Sequence, residues 1–233
     1  IKKKKFLDFK NNFINKNYNN QIIKQMWALI EHFGISIEII KDLFDGIESD
    51  LKEIVQLNSN KDLLIYSYRV AGTVGLMMAK ILNVQNENAL KSAIDLGIAM
   101  QLTNISRDVV EDSKNNRYYI SHNFKSIRET LKTADLFYES SFAGIKEIPF
   151  SFRFSILVAR RIYKKIGHNI LKKENIENYN NSGKIYVTNF GKIIQTILSI
   201  YDLIRLLLIK PQDHLRDKEH QIINEEINLN ERF

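Results

Sequence analysis

The chain has 233 residues, enough for one domain with a substantial core, and its 44% hydrophobic against 26% charged residues exclude a disordered tail. It carries 0 Cys, which excludes disulfide frameworks, thiolate metal sites and cysteine nucleophiles, and its 9 Gly and 2 Pro are too few turn formers for a many-stranded sheet. The net charge of +7 suits nucleic acid, anionic lipid or phosphorylated small molecules without choosing among them.

The chain opens at Ile1 rather than Met, so an N-terminal truncation is expected, and Lys2 to Lys5 precede no apolar run that would make a signal peptide. Hydrophobic periodicity then predicts six or so helices in a single domain. The first covers Asn20 to Phe33 and is ended by Gly34; a second runs from Ser36, an N-cap residue, to about Val55. A third spans about Asp62 to Leu82, and a fourth runs from about Glu87 to Lys114, where a polar loop begins. A fifth lies near Ser126 to Ala143. Pro149, at a first helical position, opens a long segment through about Lys173, and a last helix runs from about Phe190 to Lys210, stopping before Pro211. That last stretch contains Gln195, Asp202 and Arg205 between Ile193 and Ile209, which argues against a membrane span. Residues 211–233, with Asp213 to Arg216 and Glu225 to Glu231, read as a solvated tail behind a helical core of about 20–210.

Chemistry concentrates on the fourth helix. At 100° per residue, Gln101, Asn104, Asp108 and Asp112 fall within roughly 80° of one another, while Leu96, Ile98, Leu102, Ile105, Val109 and Val110 around them are apolar. Two carboxylates one turn apart on a core-forming helix need a cation, a proton or nearby water. Carboxylate and amide oxygens in this pattern suit Mg2+ with phosphate completing its shell, and Arg107 at the stripe's edge could hold a phosphate oxygen. The residues alone leave a solvated helix face equally open. On the third helix, Ala71, Gly72, Thr73 and Gly75 are small, and each helical glycine costs about 1 kcal/mol relative to Ala, so something approaches that backbone closely. A neighbouring helix or a long chain in a tunnel would each explain it; Tyr66, Val70, Thr73 and Met77 form one face, as a tunnel wall requires.

Gln101-Leu-Thr-Asn-Ile-Ser-Arg-Asp-Val-Val-Glu-Asp112 resembles the second aspartate-rich motif of squalene and phytoene synthases, most nearly the bacterial-type phytoene synthases. Asn116-Arg-Tyr-Tyr-Ile120 resembles that family's Gly-Arg-x-Tyr-Leu-Pro, with Asn116 for Gly and Ser121 for Pro. Tyr66-Ser-Tyr-Arg-Val-Ala-Gly-Thr-Val-Gly-Leu76 resembles its tyrosine signature. The similarity extends from about Phe33 to Val187. It implies an all-α isoprenoid synthase-type bundle around a central cavity and a prenyltransferase activity: head-to-head condensation of two geranylgeranyl diphosphates, through a cyclopropylcarbinyl diphosphate, to phytoene in carotenoid biosynthesis. It assigns Asp108 and Asp112 to catalysis and Mg2+ binding (Mn2+ as a substitute), Asn104 to the metal, Gln101, Arg107 and Tyr179 to the prenyl diphosphate, and Tyr66 to the reacting allylic carbons. The alternative for Tyr179 is a loop tyrosine packed on the last helix.

The same resemblance implies a first Asp-x-x-x-Asp motif on an upstream helix, absent here, so this chain should hold half a metal site and be inactive alone. Asp42, Asp45 and Asp50 match the stretch after that motif and read as surface carboxylates. Relatives that use farnesyl diphosphate to make squalene, dehydrosqualene or hydroxysqualene are the runner-up, and a non-catalytic family member acting as an assembly factor is the rival class. An Asp-x-x-x-Asp helix upstream of Ile1 would favour catalysis. No NADPH is expected. His32, His122, His168, His214 and His220 show no ligand spacing, so metal or acid–base roles for them are not expected. Arg160, Arg161, Lys164 and Lys165 read as a solvated basic face, with attraction of diphosphate or anionic lipid second. No nucleic-acid-binding motif occurs. A cytoplasmic location is expected, with the oily product and the apolar last helix suggesting peripheral contact with the inner membrane; the oligomeric state is not legible.

Overall fold

The computed structural model describes residues 2–210, 213, 214 and 217–233. Its longest helix, α6 (Glu87–Lys114), buries apolar residues along most of its length, among them Leu90, Ile94, Ile98, Leu102 and Ile105. Around it lie α1 (Lys2–Ile14), α2 (Gln21–His32), α3 (Ile37–Asp50), α4 (Asn60–Ser67), α5 (Thr73–Ile81), α7 (Phe124–Ser141), α8 (Phe150–Leu171), α9 (Ile176–Asn181), α10 (Asn189–Leu208) and α11 (Lys218–Glu226). Two short strands, β1 (Val55–Gln56) and β2 (Arg117–Tyr118), pair in parallel. The helix starts follow ordinary capping chemistry: Asn20, Ser36, Ser59, Asn86, Asn123 and Asn175 each accept a backbone N–H of the first turn.

The predicted third helix is interrupted. Between α4 and α5, residues Tyr68–Gly72 form a π-helical turn, in which the Thr73 N–H bonds the Tyr68 carbonyl five residues back. A turn of this kind holds one residue more than an α-turn, so the apolar face changes phase. The cavity wall is therefore Val70, Ala71, Val74, Gly75 and Met78, and not the expected line through Thr73 and Met77; Thr73 is buried elsewhere.

The small residues of this segment are explained by α6. A Cβ on Gly75 would lie 2.1 Å from the Ala93 carbonyl oxygen, and one on Gly97 would lie 2.2 Å from the Ala71 carbonyl oxygen. Each helix thus sets a carbonyl into the gap left by a glycine of the other. The close approach is first a helix-to-helix contact, with the cavity opening beside it.

Four expectations need correction. Residues before Asn20 are not peripheral: α1 buries Phe13, which stacks on Trp27 at 5.3 Å and meets Phe44 edge-on at 5.2 Å. The tail is not solvated either, since α11 packs down with His220, Ile223 and Ile227 buried. Arg232 sends its guanidinium to Asp42, at 3.0 and 3.2 Å, and the Tyr68 hydroxyl donates to the same carboxylate at 2.9 Å. Asp42 is consequently an interior residue with charge and hydrogen-bond partners, as burial of a carboxylate demands, whereas Asp45 is a surface residue paired with Lys10. The basic run on α8 is likewise consumed internally. Arg160 is buried and donates to the Tyr138 carbonyl at 2.7 Å, Arg161 pairs with buried Asp202 of α10, and Lys164 pairs with Glu139 of α7. These pairs bind α7, α8 and α10 together. The expected stop at Pro211 lies outside the described residues, as does Arg216 of the tail; α10 ends at Leu208.

Gly75→Ala places a methyl group against the Ala93 carbonyl and should cost roughly 1–3 kcal/mol. The check is the urea midpoint, and an unchanged midpoint would mean that α5 and α6 separate without penalty.

Candidate functional site

Residues Gln101 to Asp112 occupy the C-terminal half of α6, and the polar stripe is real. Gln101 and Asn104 line an apolar cavity of about 350 Å³ whose walls are α5, α6 and the stretch Ser141–Ile148, with Ile156 and Ala159 of α8. One turn further along, Arg107 forks onto Asp108 with contacts of 2.9 and 2.6 Å, and Lys184 reaches Asp108 at 3.3 Å and Glu111 at 2.7 Å. The stripe thus passes from an apolar hollow to a zone of carboxylates interleaved with cations.

Asp112 is the most perturbed carboxylate of the set. Burial first, then the charges of Asp108, Glu111 and Asp50, push its pKa up to about 6, against the opposing charge of Lys184. The Asn104 Oδ1 is buried and has no hydrogen-bond partner among the described residues. A desolvated carboxylate repelled by its neighbours and an amide oxygen lacking a donor are both relieved by a hard divalent cation, which takes oxygen ligands. The donor set of Asn104, Asp108 and Asp112 therefore fits Mg2+.

Facing α6 is a constellation that sequence reasoning missed. Asp50, the last residue of α3, accepts a hydrogen bond from Tyr66 on one oxygen (2.9 Å) and from Tyr119 on the other (3.0 Å). The two phenol rings stack at 4.8 Å with their oxygens 3.1 Å apart. Burial raises the pKa of Asp50, with the two hydroxyl bonds opposing, and burial raises both tyrosines well above their ordinary value. Asp50 is thus no surface carboxylate. Its field reaches Asp112, so it belongs to the acidic end of the site. Tyr66 is buried in this clamp, and the cavity wall begins one turn later at Val70. The β1–β2 pair supplies the positioning: the Arg117 guanidinium donates to the Asp50 carbonyl at 2.7 Å, tying the end of α3 to the loop after α6. Asn116, which replaces the family's glycine, has φ +57, a left-handed conformation that asparagine tolerates better than most residues. The signals for Asp50 are contacts made across 16 and 69 residues of sequence, which no helical pattern reveals.

Tyr179 lies on α9, 3% exposed, with its hydroxyl directed at the backbone carbonyls of Ser106 (3.0 Å) and Arg107 (2.8 Å). Burial raises its pKa to about 12. It packs on α6 and not on α10, with Val109, Ile166, Ile185 and Val187 in a small second core. In this position it props the backbone that carries Arg107 and Asp108.

The raised pKa of Asp112 has a testable sign. A carboxylate whose folded pKa exceeds its unfolded value costs stability above the folded pKa, and the cost disappears as pH falls toward the unfolded value of 3.8. Asp112→Asn should therefore raise the melting temperature at pH 7.5, and the gain should shrink as pH falls through about 6. Melting curves of both proteins across pH 4–8 check this; a gain independent of pH would assign it to something other than the charge.

The family model described as squalene/phytoene synthase matches residues 4–124, just over half of the chain. The 15-cis-phytoene synthase of Paracoccus sp. (strain N81106 / MBIC 01143) is 36% identical over 149 residues, covering 56% of this chain and 49% of the relative. The chloroplastic phytoene synthase 1 of Zea mays is 30% identical over 190 residues, covering 70% and 45%. The chain spans about half the length of the curated relatives it matches. Among solved structures, a dehydrosqualene synthase in complex with ligand superposes with a TM-score of 0.66 at 25% identity, over 87% of this chain and 77% of that one. The fold is accordingly the all-α isoprenoid synthase bundle, and the chain belongs to the squalene/phytoene synthase family.

Proposed function

We propose that the protein to which this chain belongs condenses two prenyl diphosphates head to head, with geranylgeranyl diphosphate as substrate and phytoene as product. The observation that carries the reading is the polar stripe of α6, which starts inside an apolar cavity at Gln101 and Asn104 and runs outward to Asp108 and Asp112. An isoprenoid diphosphate has the same two-part character, an oily chain and a highly charged head.

Asn104, Asp108 and Asp112 would hold Mg2+, whose charge assists departure of the diphosphate. Arg107 and Lys184, now engaged with Asp108 and Glu111, are the cations at hand for the diphosphate oxygens. The cavity supplies exclusion of water: Val70, Val74, Leu96 and Ile156 offer no nucleophile to an allylic cation. Tyr66 and Tyr119 fix Asp50 near the acidic end.

Cavity depth supports the longer substrate. From Asn104 to Ala89, both on the cavity wall, α6 advances 15 residues, about 22 Å. A five-carbon unit built on bonds of about 1.5 Å extends about 5 Å, so four units fill that depth and three leave about a third of it empty. Squalene-type chemistry on farnesyl diphosphate is the nearest alternative. A non-catalytic assembly factor is disfavoured by the intact stripe, since a scaffold has no use for a destabilised Asp112.

In the enzyme carrying both acidic motifs, Asp108→Asn should lower turnover by at least about 10²–10³-fold with unchanged helical circular dichroism. Phytoene formation at near-normal rate by that variant removes the metal role. Supplying farnesyl and geranylgeranyl diphosphate separately and identifying the hydrocarbon product decides chain length.

No helix of the described residues is long and apolar enough to cross a membrane. The outer face of α10 nevertheless exposes Phe190, Ile193, Ile197, Tyr201, Ile204 and Leu208, a stripe suited to peripheral contact with a bilayer. Flotation with anionic liposomes should recover the protein in the lipid fraction, and Ile197→Glu with Tyr201→Glu should abolish recovery; full retention by the double variant removes this contact.

A further inference from the structure

Two histidines without any ligand spacing in the sequence meet a buried carboxylate on the far side of α6. Asp95, 2% exposed, lies 13 residues before Asp108, about 20 Å along the helix. His214, in the segment between α10 and α11, places Nε2 at 2.6 Å from Asp95 Oδ2, and His220, in the first turn of α11, places Nε2 at 3.0 Å from the same oxygen. The imidazoles stand nearly perpendicular, 5.1 Å apart, and one ligand atom from each of the three residues lies within 4.8 Å of the others.

Hydrogen bonding alone accounts poorly for this cluster. The Ser140 hydroxyl also donates to Oδ2, at 2.5 Å, so three groups crowd an oxygen with two lone pairs. His214, with a side chain 4% exposed, leaves Nδ1 buried with no partner among the described residues. Beside the three groups is a small hollow of about 20 Å³, also bordered by Ile94, Ile223 and Leu229, which is the room one ion or one water needs. Lys91 borders it too, but its ammonium is directed toward Glu87 at 3.7 Å and over the Phe233 ring.

We infer that Asp95, His214 and His220 form a binding site for a divalent transition metal ion, zinc being the best match, which fastens the C-terminal segment to α6. Two imidazole nitrogens and a carboxylate are a borderline-soft donor set that favours zinc over Mg2+. Zinc bonds of about 2.0–2.1 Å in a tetrahedron separate neighbouring ligand atoms by about 3.3 Å, so the His220–Asp95 separation of 3.0 Å is near that value already and the His214–Asp95 separation of 2.6 Å opens by about 0.7 Å on ligation. The hollow supplies the fourth position for water. One existing contact is exchanged: the Asp217 N–H donates to His220 Nδ1 at 3.1 Å, and ligation through Nε2 leaves the ring proton on Nδ1. The site lies apart from the acidic stripe, so its occupancy is independent of diphosphate chemistry.

The test uses untagged protein stripped with a chelator, then given zinc chloride and desalted. One zinc per chain by elemental analysis is expected, together with a higher melting temperature. Cobalt chloride should produce the visible absorption of four-coordinate Co2+, and magnesium chloride should not displace either ion. His214→Ala and Asp95→Asn should each remove zinc retention and the cobalt spectrum. Ser140→Ala keeps all three ligands and should weaken zinc by about 10-fold, which preserves the test if the ligand variants misfold. Absence of stoichiometric zinc in the parent protein, or equal retention by His214→Ala, overturns the assignment and leaves the cluster a hydrogen-bonded tie.

Discussion

Backbone-to-backbone packing of α6 against the π-turn and α5 is the constraint on which the rest of the molecule depends. Ala93 sets its carbonyl over Gly75 and Ala71 sets its carbonyl over Gly97, so the helices approach more closely than any side chain would permit. That proximity leaves the hollow to be walled by what remains: Val70, Val74 and Met78 from one helix, Leu96, Met100 and the amides of Gln101 and Asn104 from the other. The glycines are costly within helices, and the return is a wall thin enough to leave space inside a closely packed bundle.

The same central helix organises charge in both directions. Toward its C-terminal end, carboxylates meet Arg107, Lys184 and the two tyrosines that hold Asp50; midway along, Asp95 collects both histidines of the C-terminal segment. Asp42 performs a similar service for Arg232. Asp42, Asp50 and Asp95 are each matched by donors from distant sequence, so these acids act as anchor points for segments whose own apolar content is small. The C-terminal segment holds its place through two such anchors and a few buried isoleucines.

What the sequence revealed and what it hid divide along the range of the interactions involved. The bounds of α6 and the stripe Gln101, Asn104, Asp108 and Asp112 were legible because helical periodicity is local and the stripe is a departure from it. The all-helical class followed from composition. Asp50, Asp42 and the histidines were not legible, because their partners lie 16 to 190 residues away and leave no periodic trace. Arg160 and Arg161 looked like surface charge since nothing local announces Asp202 or the Tyr138 carbonyl. α1 was hidden by the run Lys2 to Lys5, which masks the Phe6, Phe9 and Phe13 spacing that packs on Phe44.

The π-turn at Tyr68–Gly72 carries one further consequence. By winding an additional residue into the rod, it works as a phase shifter between two stretches that would otherwise share a single face. Upstream substitutions address the aspartate clamp, and downstream ones address the oily hollow, with little crosstalk between them. A lineage could therefore re-tailor the hollow by changing Val74 or Met78 while leaving the Tyr66 end untouched, an evolutionary modularity that an unbroken α-helix would deny.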